Sequence, residues 1–456
     1  MNSNKTIAKD LTHGNVLKLL VSFSAPLMLA NLLQLVYSLV DMIVIGQYVG
    51  SAGISAVSGG SDILMLFTMF SMGFCSAGQV IISQYIGKND KKSVSRTIGT
   101  MFTFFLIFAV VLTVIALSVS KWFVNVLNIP AEAAPMSVDY VTVCFSGLVF
   151  IFGYNLVSAI LRGMGDSRRP LVFIAIASVL NLVLDLVFVT KFNMAAKGAA
   201  LATVIGQGVS FIVSLIYLYC KREAFGFDFK LKSFQIDRDI LRIVLKLGFP
   251  MSLQQVAVAV SGLVVSALIN DYGLIASAVA GIGAKLRTII MLFTSAIGTA
   301  ASTMVGQNFG AGLHERVQTV FKTAFIILLV GCLILAVICL AFPKAVFGIF
   351  AKDPAVLDMA PNYMIINFFT FLAFALMIPG QSIINGVGHS SLAFFIGIMD
   401  GIVTRIGLTL LFGLVLKLGV WGIWAGATAA AYVTATIACG YYLSGKWKNR
   451  KPIVER

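Results

Sequence analysis

Two polar residues, Asn181 and Asp185, interrupt the apolar run from Leu171 to Thr190. About twenty residues at 1.5 Å rise cover roughly the 30 Å hydrocarbon core of a bilayer. Four positions apart, the two share one face of a helix. A carboxylate near mid-membrane costs about 2.5–3.5 kcal/mol on insertion scales, and by default such an acid marks a site for a proton, a metal ion or a cationic ligand. Chain direction places Asp41 about one turn from the outer end of the first expected span, Asp185 at similar depth in the fifth, and Thr203 about one turn into the sixth, with Asn181 a turn deeper. Two carboxylates, an amide oxygen and a hydroxyl form an oxygen-only set that suits Na⁺ or a proton and not a soft metal. Two acids in one apolar pocket titrate as a coupled unit. The plainer alternatives are an Asp41 hydrated at the membrane interface and a structural role for the Asn181–Asp185 pair.

The elements that must hold these groups follow from composition. Of 456 residues, 59% are hydrophobic and 11% charged, far from a soluble globular average. The chain reads as a polytopic membrane protein. Its formal charge of +15 is explained by basic loops rather than by nucleic acid, which is not an expected partner. Cys75, Cys144, Cys220, Cys332, Cys339 and Cys439 lie in or beside apolar runs without the paired spacing of a zinc or redox site, so they read as small core residues. The first 17 residues are polar, and no cleaved signal is expected there.

Twelve spans are predicted, near 19–45, 54–82, 98–120, 137–161, 171–190, 198–220, 245–269, 276–304, 319–342, 360–386, 392–414 and 420–444. Both termini then share one side. That side collects 24 of the 33 Lys and Arg, including Lys5 and Arg456, against 6 opposite, which predicts cytoplasmic termini and a multi-pass protein of the plasma (inner) membrane.

The chain also repeats itself. Pro26 and Pro250 are 224 residues apart; the glycines closing SQYIG at 83–87 and GQNFG at 306–310 are 223 apart, as are Gly165 and Gly388. The fold expected is all-α: two six-helix bundles in one orientation, related by a pseudo-two-fold axis along the membrane normal. Residues 1–220 would form the first lobe, 221–244 a cytoplasmic linker, 245–445 the second lobe and 446–456 a basic tail. Asp41 maps to Val264 or Val265 and Asp185 to Leu408 or Thr409, so the acids are one-sided. Carriers built this way bind between lobes and rock them. No catalytic set is visible: His13, His314 and His389 fall in expected tails or loops, and the sequence at Gly163 to Gly165 suits a tight turn better than a phosphate cradle.

Other intramembrane groups have assignable roles. Pro26 frees a carbonyl within a helix that also carries Asp41, so it is the expected hinge, in preference to Pro250. Asp62 and Lys285, 223 apart, are candidates for an outer gate. Asp400 and Arg405, five apart, would not share a face well on an α-helix. Arg405, Gln34, Tyr37, Asn155, Gln207, Gln254 and Gln255 are candidates to line a cavity, against helix–helix hydrogen bonding as the alternative.

Across residues 15–445 the chain resembles the multidrug and toxic compound extrusion (MATE) family. The resemblance rests on Pro26, DMIVIG at 41–46, QYIG at 84–87, LRGMGD at 161–166, NLVLD at 181–185, GAALAT at 198–203 and GQNFG at 306–310, as an ordered set. It implies a V-shaped pair of six-helix bundles and export of organic cations or other amphipathic compounds against Na⁺ or H⁺. In the branch with first-lobe acids it implies a coupling-cation site at Asp41, Asn181, Asp185 and Thr203, and a bend at Pro26. Family members with acids in the seventh and tenth helices differ from this chain, which has Gln255 and no acid in those spans. No cofactor beyond the coupling ion is implied, and a monomer is expected. The competing cargo is a lipid-linked sugar handled by a flippase of the same superfamily. That cavity would need several basic residues, and the spans offer mainly Arg405, with Lys285 and Arg287 near an end. An enzyme is not expected, because no clustered aspartates or other reactive set appears.

Overall fold

The computed structural model describes residues 6–126 and 129–455, which are helical without a strand. Lys5 and Arg456 of the basic census lie outside the described residues. Sixteen α-helices follow in order: α1 Val16–Tyr48, α2 Ser51–Gly87, α3 Lys91–Val126, α4 Ala134–Ser146, α5 Leu148–Gly163, α6 Arg168–Asp185, α7 Ala195–Cys220, α8 Arg222–Phe225, α9 Arg238–Asn270, α10 Leu274–Gly310, α11 His314–Ala341, α12 Pro343–Gly348, α13 Pro354–Gly386, α14 Ser390–Ile398, α15 Arg405–Leu410 and α16 Gly419–Leu443. π-Helical turns extend α6 over Leu186–Lys191, join α14 to α15 over Met399–Thr404, and extend α15 over Leu411–Val415. Among the described residues, eleven helices are long and apolar enough to cross a bilayer, and the pair α4 and α5, bent by 52°, makes a twelfth span. Helices are the form an apolar segment takes in lipid, because they satisfy every backbone group internally. The bend falls at Gly147, where an added Cβ would sit 2.4 Å from Val204 of α7.

Exposed apolar residues recur on single helix faces: Leu106, Val110 and Val114 on α3, and Ile326, Val330 and Ile334 on α11. Such stripes face lipid rather than water. The interior instead is lined by small and aliphatic residues, with Val157, Ile160 and Leu161 of α5 buried in the first half and Ala300, Ala301 and Val305 of α10 in the second.

The repeat is visible in backbone conformation. Positive φ recurs at Gly50 and Gly273, Asn89 and Gly312, and Gly165 and Gly388, all 223 apart; it then recurs at Asn193 and Lys417, and at Ala195 and Gly419, 224 apart. Between the last two groups lies the π-turn Met399–Thr404, which has no counterpart in α6. A π-bulge is one residue inserted into an α-helix, which accounts for the change of register. Asp185 therefore corresponds to Thr409, and Asn181 to Arg405. Close packing repeats as well: a Cβ on Gly163 would meet the Gln79 carbonyl at 2.8 Å, and one on Gly386 the Ser302 carbonyl at 2.7 Å.

Two compact units divide the chain. The first holds the described residues up to Asp10 and Ala25–Leu245; the second holds Leu11–Ser24 and the described residues from Lys246 on. Residues 221–244, expected as a linker, pack on the first unit. Phe225 and Phe227 are each 1% exposed, and Phe227 and Phe234 ring-pack against Phe102 of α3. Asp237 pairs with Arg96, and its amide donates to Thr100 Oγ1 at 3.0 Å. Gly99 is required here, since a Cβ would fall 1.9 Å from the Ser233 carbonyl. The end of the chain, expected as a tail, folds back on the second unit, where Trp447 is fully buried beside His314 and Tyr442. His314 opens α11 and His389 caps α14 by accepting from the Leu392 amide, so neither is a loop residue standing alone. Of the six cysteines, Cys220 is exposed and Cys439 half-buried, which departs from the uniform core role expected.

Candidate functional site

α1, α6 and α7 bring the expected set together within the first unit. Asp41 is 7% exposed, Asn181 4% and Asp185 1%; Thr203 is half-buried. The carboxyl groups of Asp41 and Asp185 lie close enough to share a hydrogen bond when one of them is protonated. Asn181 Nδ2 donates to Thr203 Oγ1 at 3.4 Å, which ties α6 to α7. That approach depends on Gly206, where an added Cβ would come within 3.1 Å of the Ala177 carbonyl and 3.4 Å of Asn181 Cβ. Asp185 is the last residue of α6 before the π-turn Leu186–Lys191. Such turns re-aim side chains and are frequent at functional sites.

The site is rich in acceptors and poor in donors. Asp41 Oδ1, Asn181 Oδ1 and both carboxylate oxygens of Asp185 are buried without a hydrogen-bond donor. A buried acceptor left unpaired carries a desolvation cost of about 1–3 kcal/mol, more when charged. A proton shared by the acids, or a hard cation among the oxygens, removes that cost. Among the described residues no cluster of three or more His, Cys, Asp or Glu could hold a metal. The groups present, two carboxylates, an amide and a hydroxyl, are all hard oxygen ligands.

Ser61, Tyr140, Cys144 and Tyr154 were not legible as site residues, whereas Tyr37 and Gln207 were already candidates to line a cavity. Tyr140 Oη and Ser61 Oγ lie 3.0 Å apart, and Tyr140 also faces Cys144 and Asp41. Tyr37 approaches Gln207, Asp41 and Tyr154. Tyr140 fits because residue 60 is glycine: a Cβ there would lie 2.5 Å from its ring. The available signal was the repeat itself, because Tyr363 stands 223 residues after Tyr140 and Gly283 stands 223 after Gly60.

The remaining candidates are dispersed. Gln207 is buried near Tyr37 and Asn155 is half-buried, whereas Gln34 and Asp62 are exposed on the first unit. In the second unit Gln255 and Lys285 are exposed, and Gln254 packs against Gly397, where a Cβ would meet its side chain at 2.5 Å. Pro26 lies inside a continuous α1. One expectation is corrected: Asp400 and Arg405 do share a face. Arg405 Nη2 donates to both carboxylate oxygens of Asp400 at 3.0 Å. The five-residue spacing works because the Arg405 amide bonds the Asp400 carbonyl, the i to i+5 pattern of a π-turn.

Known proteins resemble this chain in sequence and fold. The MatE family model matches residues 26–187 and again 250–411, a second time at the spacing of the repeat. The chain is 32% identical to the probable multidrug resistance protein YpnP of Bacillus subtilis, over 98% of this chain and all of the relative. It is 26% identical to the probable multidrug resistance protein NorM of Thermotoga maritima, over 95% and 93% of the two chains. A solved structure of a MOP superfamily transporter from Pyrococcus furiosus superposes with a TM-score of 0.90 at 22% identity, covering 99% of this chain and 100% of that one. Twelve apolar spans in two matching halves, each recognised by the same model, establish that this chain is a member of the MatE family.

Proposed function

We propose that the protein is a secondary exporter of amphipathic drugs or metabolites, organic cations included, driven by inward flow of Na⁺ or H⁺. Members of its family are membrane transporters rather than enzymes, and the relatives named above are described as multidrug resistance proteins. The observation that carries the coupling is the group of buried, donor-less oxygens on Asp41, Asn181 and Asp185. Asp41 and Asp185 carry the charge that the ion neutralises. Asn181 and Thr203 supply neutral oxygens and hold α6 against α7. Filling or emptying the site changes the charge of the first unit and so biases access between the two membrane faces, with Pro26 as the hinge of α1.

One charge moving through 100 mV yields about 2.3 kcal/mol, and 1.4 kcal/mol corresponds to a tenfold gradient. A single coupled ion therefore supports more than a tenfold gradient of an uncharged cargo, whereas a monovalent cation exchanged one for one moves no net charge and draws on the ion's concentration gradient alone. The excess of Lys and Arg beside the termini supports cytoplasmic ends in a cell-membrane protein. A lipid-linked cargo is the weaker reading, because the named relatives point to drugs. The deciding measurement is transport in proteoliposomes under imposed Na⁺ or pH gradients, with wild type beside Asp41→Asn and Asp185→Asn. Gradient-driven export that survives in both variants would remove the coupling role.

A further inference from the structure

Within the second unit, a cavity of about 350 Å³ occupies the repeat-equivalent place of the first unit's acidic site. The correspondence is residue by residue. Tyr363 stands for Tyr140, Ala284 for Ser61, Arg405 for Asn181 and Ala427 for Thr203, and all four line the cavity together with Val265, one of the two positions matching Asp41. Gly283 opens the same space for Tyr363 that Gly60 opens for Tyr140, since a Cβ there would lie 1.7 Å from the phenol oxygen.

The chemistry of the two places is opposite. The first carries orphaned acceptors; the second carries orphaned donors. Trp424 lines the cavity, is only 5% exposed, and its Nε1 has no acceptor. Arg405 Nε is likewise buried without one, although its Nη2 is held by Asp400. Arg287 donates from Nη1 to Tyr363 Oη at 3.3 Å and makes no ion pair with a described residue. The Tyr363 ring meets Trp424 edge-on at 4.9 Å, so Arg287, Tyr363 and Trp424 form one packed cluster. At this cavity two guanidiniums, Arg287 and Arg405, stand against one carboxylate, Asp400, which leaves a single positive charge there. An intramembrane charge of this kind calls for a partner of opposite sign. The other walls mix apolar side chains, Ile269, Ile366 and Phe374 among them, with neutral hydroxyls and amides such as Ser266, Asn270, Asn367 and Thr428. Small-ligand sites combine such walls with a few convergent polar groups and begin near this size, roughly 300 Å³.

We propose that this cavity binds the oxyanion of an amphipathic molecule, a carboxylate seated on Arg287 and Trp424 with its apolar body against Ile366 and Phe374. The proposal rests on the exporter reading and narrows its cargo: substrates would include acids and zwitterions, with the acidic end held in the second unit. A guanidinium and an indole N–H both donate to a carboxylate, whereas an ammonium group meets only neutral hydroxyl and amide oxygens, with no Asp or Glu in the lining. The same oxyanion chemistry could be presented by a free substrate or by an anionic lipid headgroup.

Equilibrium binding of 1-naphthoate, 1-naphthamide and 1-naphthylmethylammonium to the full-length protein separates these possibilities, using phosphatidylcholine nanodiscs and nanodiscs containing phosphatidylglycerol. Naphthoate is expected to bind about tenfold or more tightly than the amide or the ammonium compound, consistent with one charged hydrogen bond. Arg287→Gln should cost naphthoate about tenfold and the amide much less, Arg287→Lys should recover part of the loss, and Trp424→Phe should weaken naphthoate more than the amide. Both phenotypes are read on protein that keeps its gel-filtration profile. Naphthoate binding unaffected by phosphatidylglycerol assigns the site to a free substrate; competition assigns it to the lipid headgroup. Equal binding of naphthoate and naphthamide, or naphthoate binding unchanged in both Arg287→Gln and Trp424→Phe, overturns the proposal. No ion gradient enters this assay, so loss of coupling in the transport experiment and loss of binding here are independent results.

Discussion

Asn181 and Arg405 occupy the same position in the two halves of the chain in opposite surroundings: Asn181 donates to Thr203 at 3.4 Å beside two carboxylates, and Arg405 donates to Asp400 at 3.0 Å beside a donor-rich cavity. One helical frame thus presents an acceptor site in one unit and a donor site in the other. The difference lies in a few side chains and one inserted residue, not in the fold.

Because Asp41 and Asp185 share one pocket, their neutralisation should not be additive. Gradient-driven export by Asp41→Asn/Asp185→Asn should be no lower than by the more impaired single variant, since groups acting as a unit lose their function together. Initial rates in proteoliposomes check this. A double variant tenfold below both singles would mean that the acids act separately.

Gly206 sets the spacing of α6 and α7. Gly206→Ala should force a shift of a few tenths of an ångström, because its Cβ would lie 3.1 Å from the Ala177 carbonyl. The expected result is a several-fold weaker apparent affinity for the coupling ion, with the bundle retained. Ion-concentration dependence of transport, read beside the melting temperature, distinguishes this from general unfolding.

Gly99→Ala should release residues 221–237 from α3. The added Cβ would overlap the Ser233 carbonyl at 1.9 Å, and overpacking of this kind costs about 1–3 kcal/mol. Limited proteolysis should then cut near Phe229 in the variant and spare the wild type.

Asp90 caps α3 outside the membrane. The Ser93 amide donates to its Oδ1 at 3.0 Å and the Ser93 hydroxyl to its Oδ2 at 2.7 Å. These bonds, the amide first, hold its carboxyl below the usual carboxylate range. A lowered folded-state value means that the stabilisation is fully present above the unfolded value, about 3.9, and fades as pH falls through the folded one. Asp90→Ala should therefore cost about 1 kcal/mol at neutral pH, the usual worth of a helix cap. Its melting temperature should converge with that of the wild type in acid.

Removing Asp400 should be worse than removing the pair. Asp400→Ala leaves Arg405 with its guanidinium unpartnered in a site where Asp400 is only 4% exposed, at a cost of about 2–4 kcal/mol after allowing for the partial exposure of the arginine. Asp400→Leu/Arg405→Met should recover much of that loss, as seen by thermal unfolding in detergent.

Much of this architecture is written locally. Runs of about twenty apolar residues specify membrane helices wherever they occur, so the spans, their even number and the duplication were legible from residue order. The positions of Asp41, Asn181, Asp185 and Thr203 in those spans were legible too, because polar groups in apolar runs are conspicuous and helix pitch converts spacing into depth.

What needed three dimensions was set by side chains distant in sequence and by departures from helical periodicity. No local pattern says that Tyr140 reaches Ser61 through the gap at Gly60, or that residues 221–244 dock on α3 through Gly99; steric fit between separate helices decides both. The pairing of Asp400 with Arg405 escaped an α-helical reading because an inserted residue turns i+5 into a neighbour. That same residue shifts the register of the second half and places Arg405 opposite Asn181. Composition and pitch thus determined where charges enter the membrane, while packing and a single π-turn decided which of them meet.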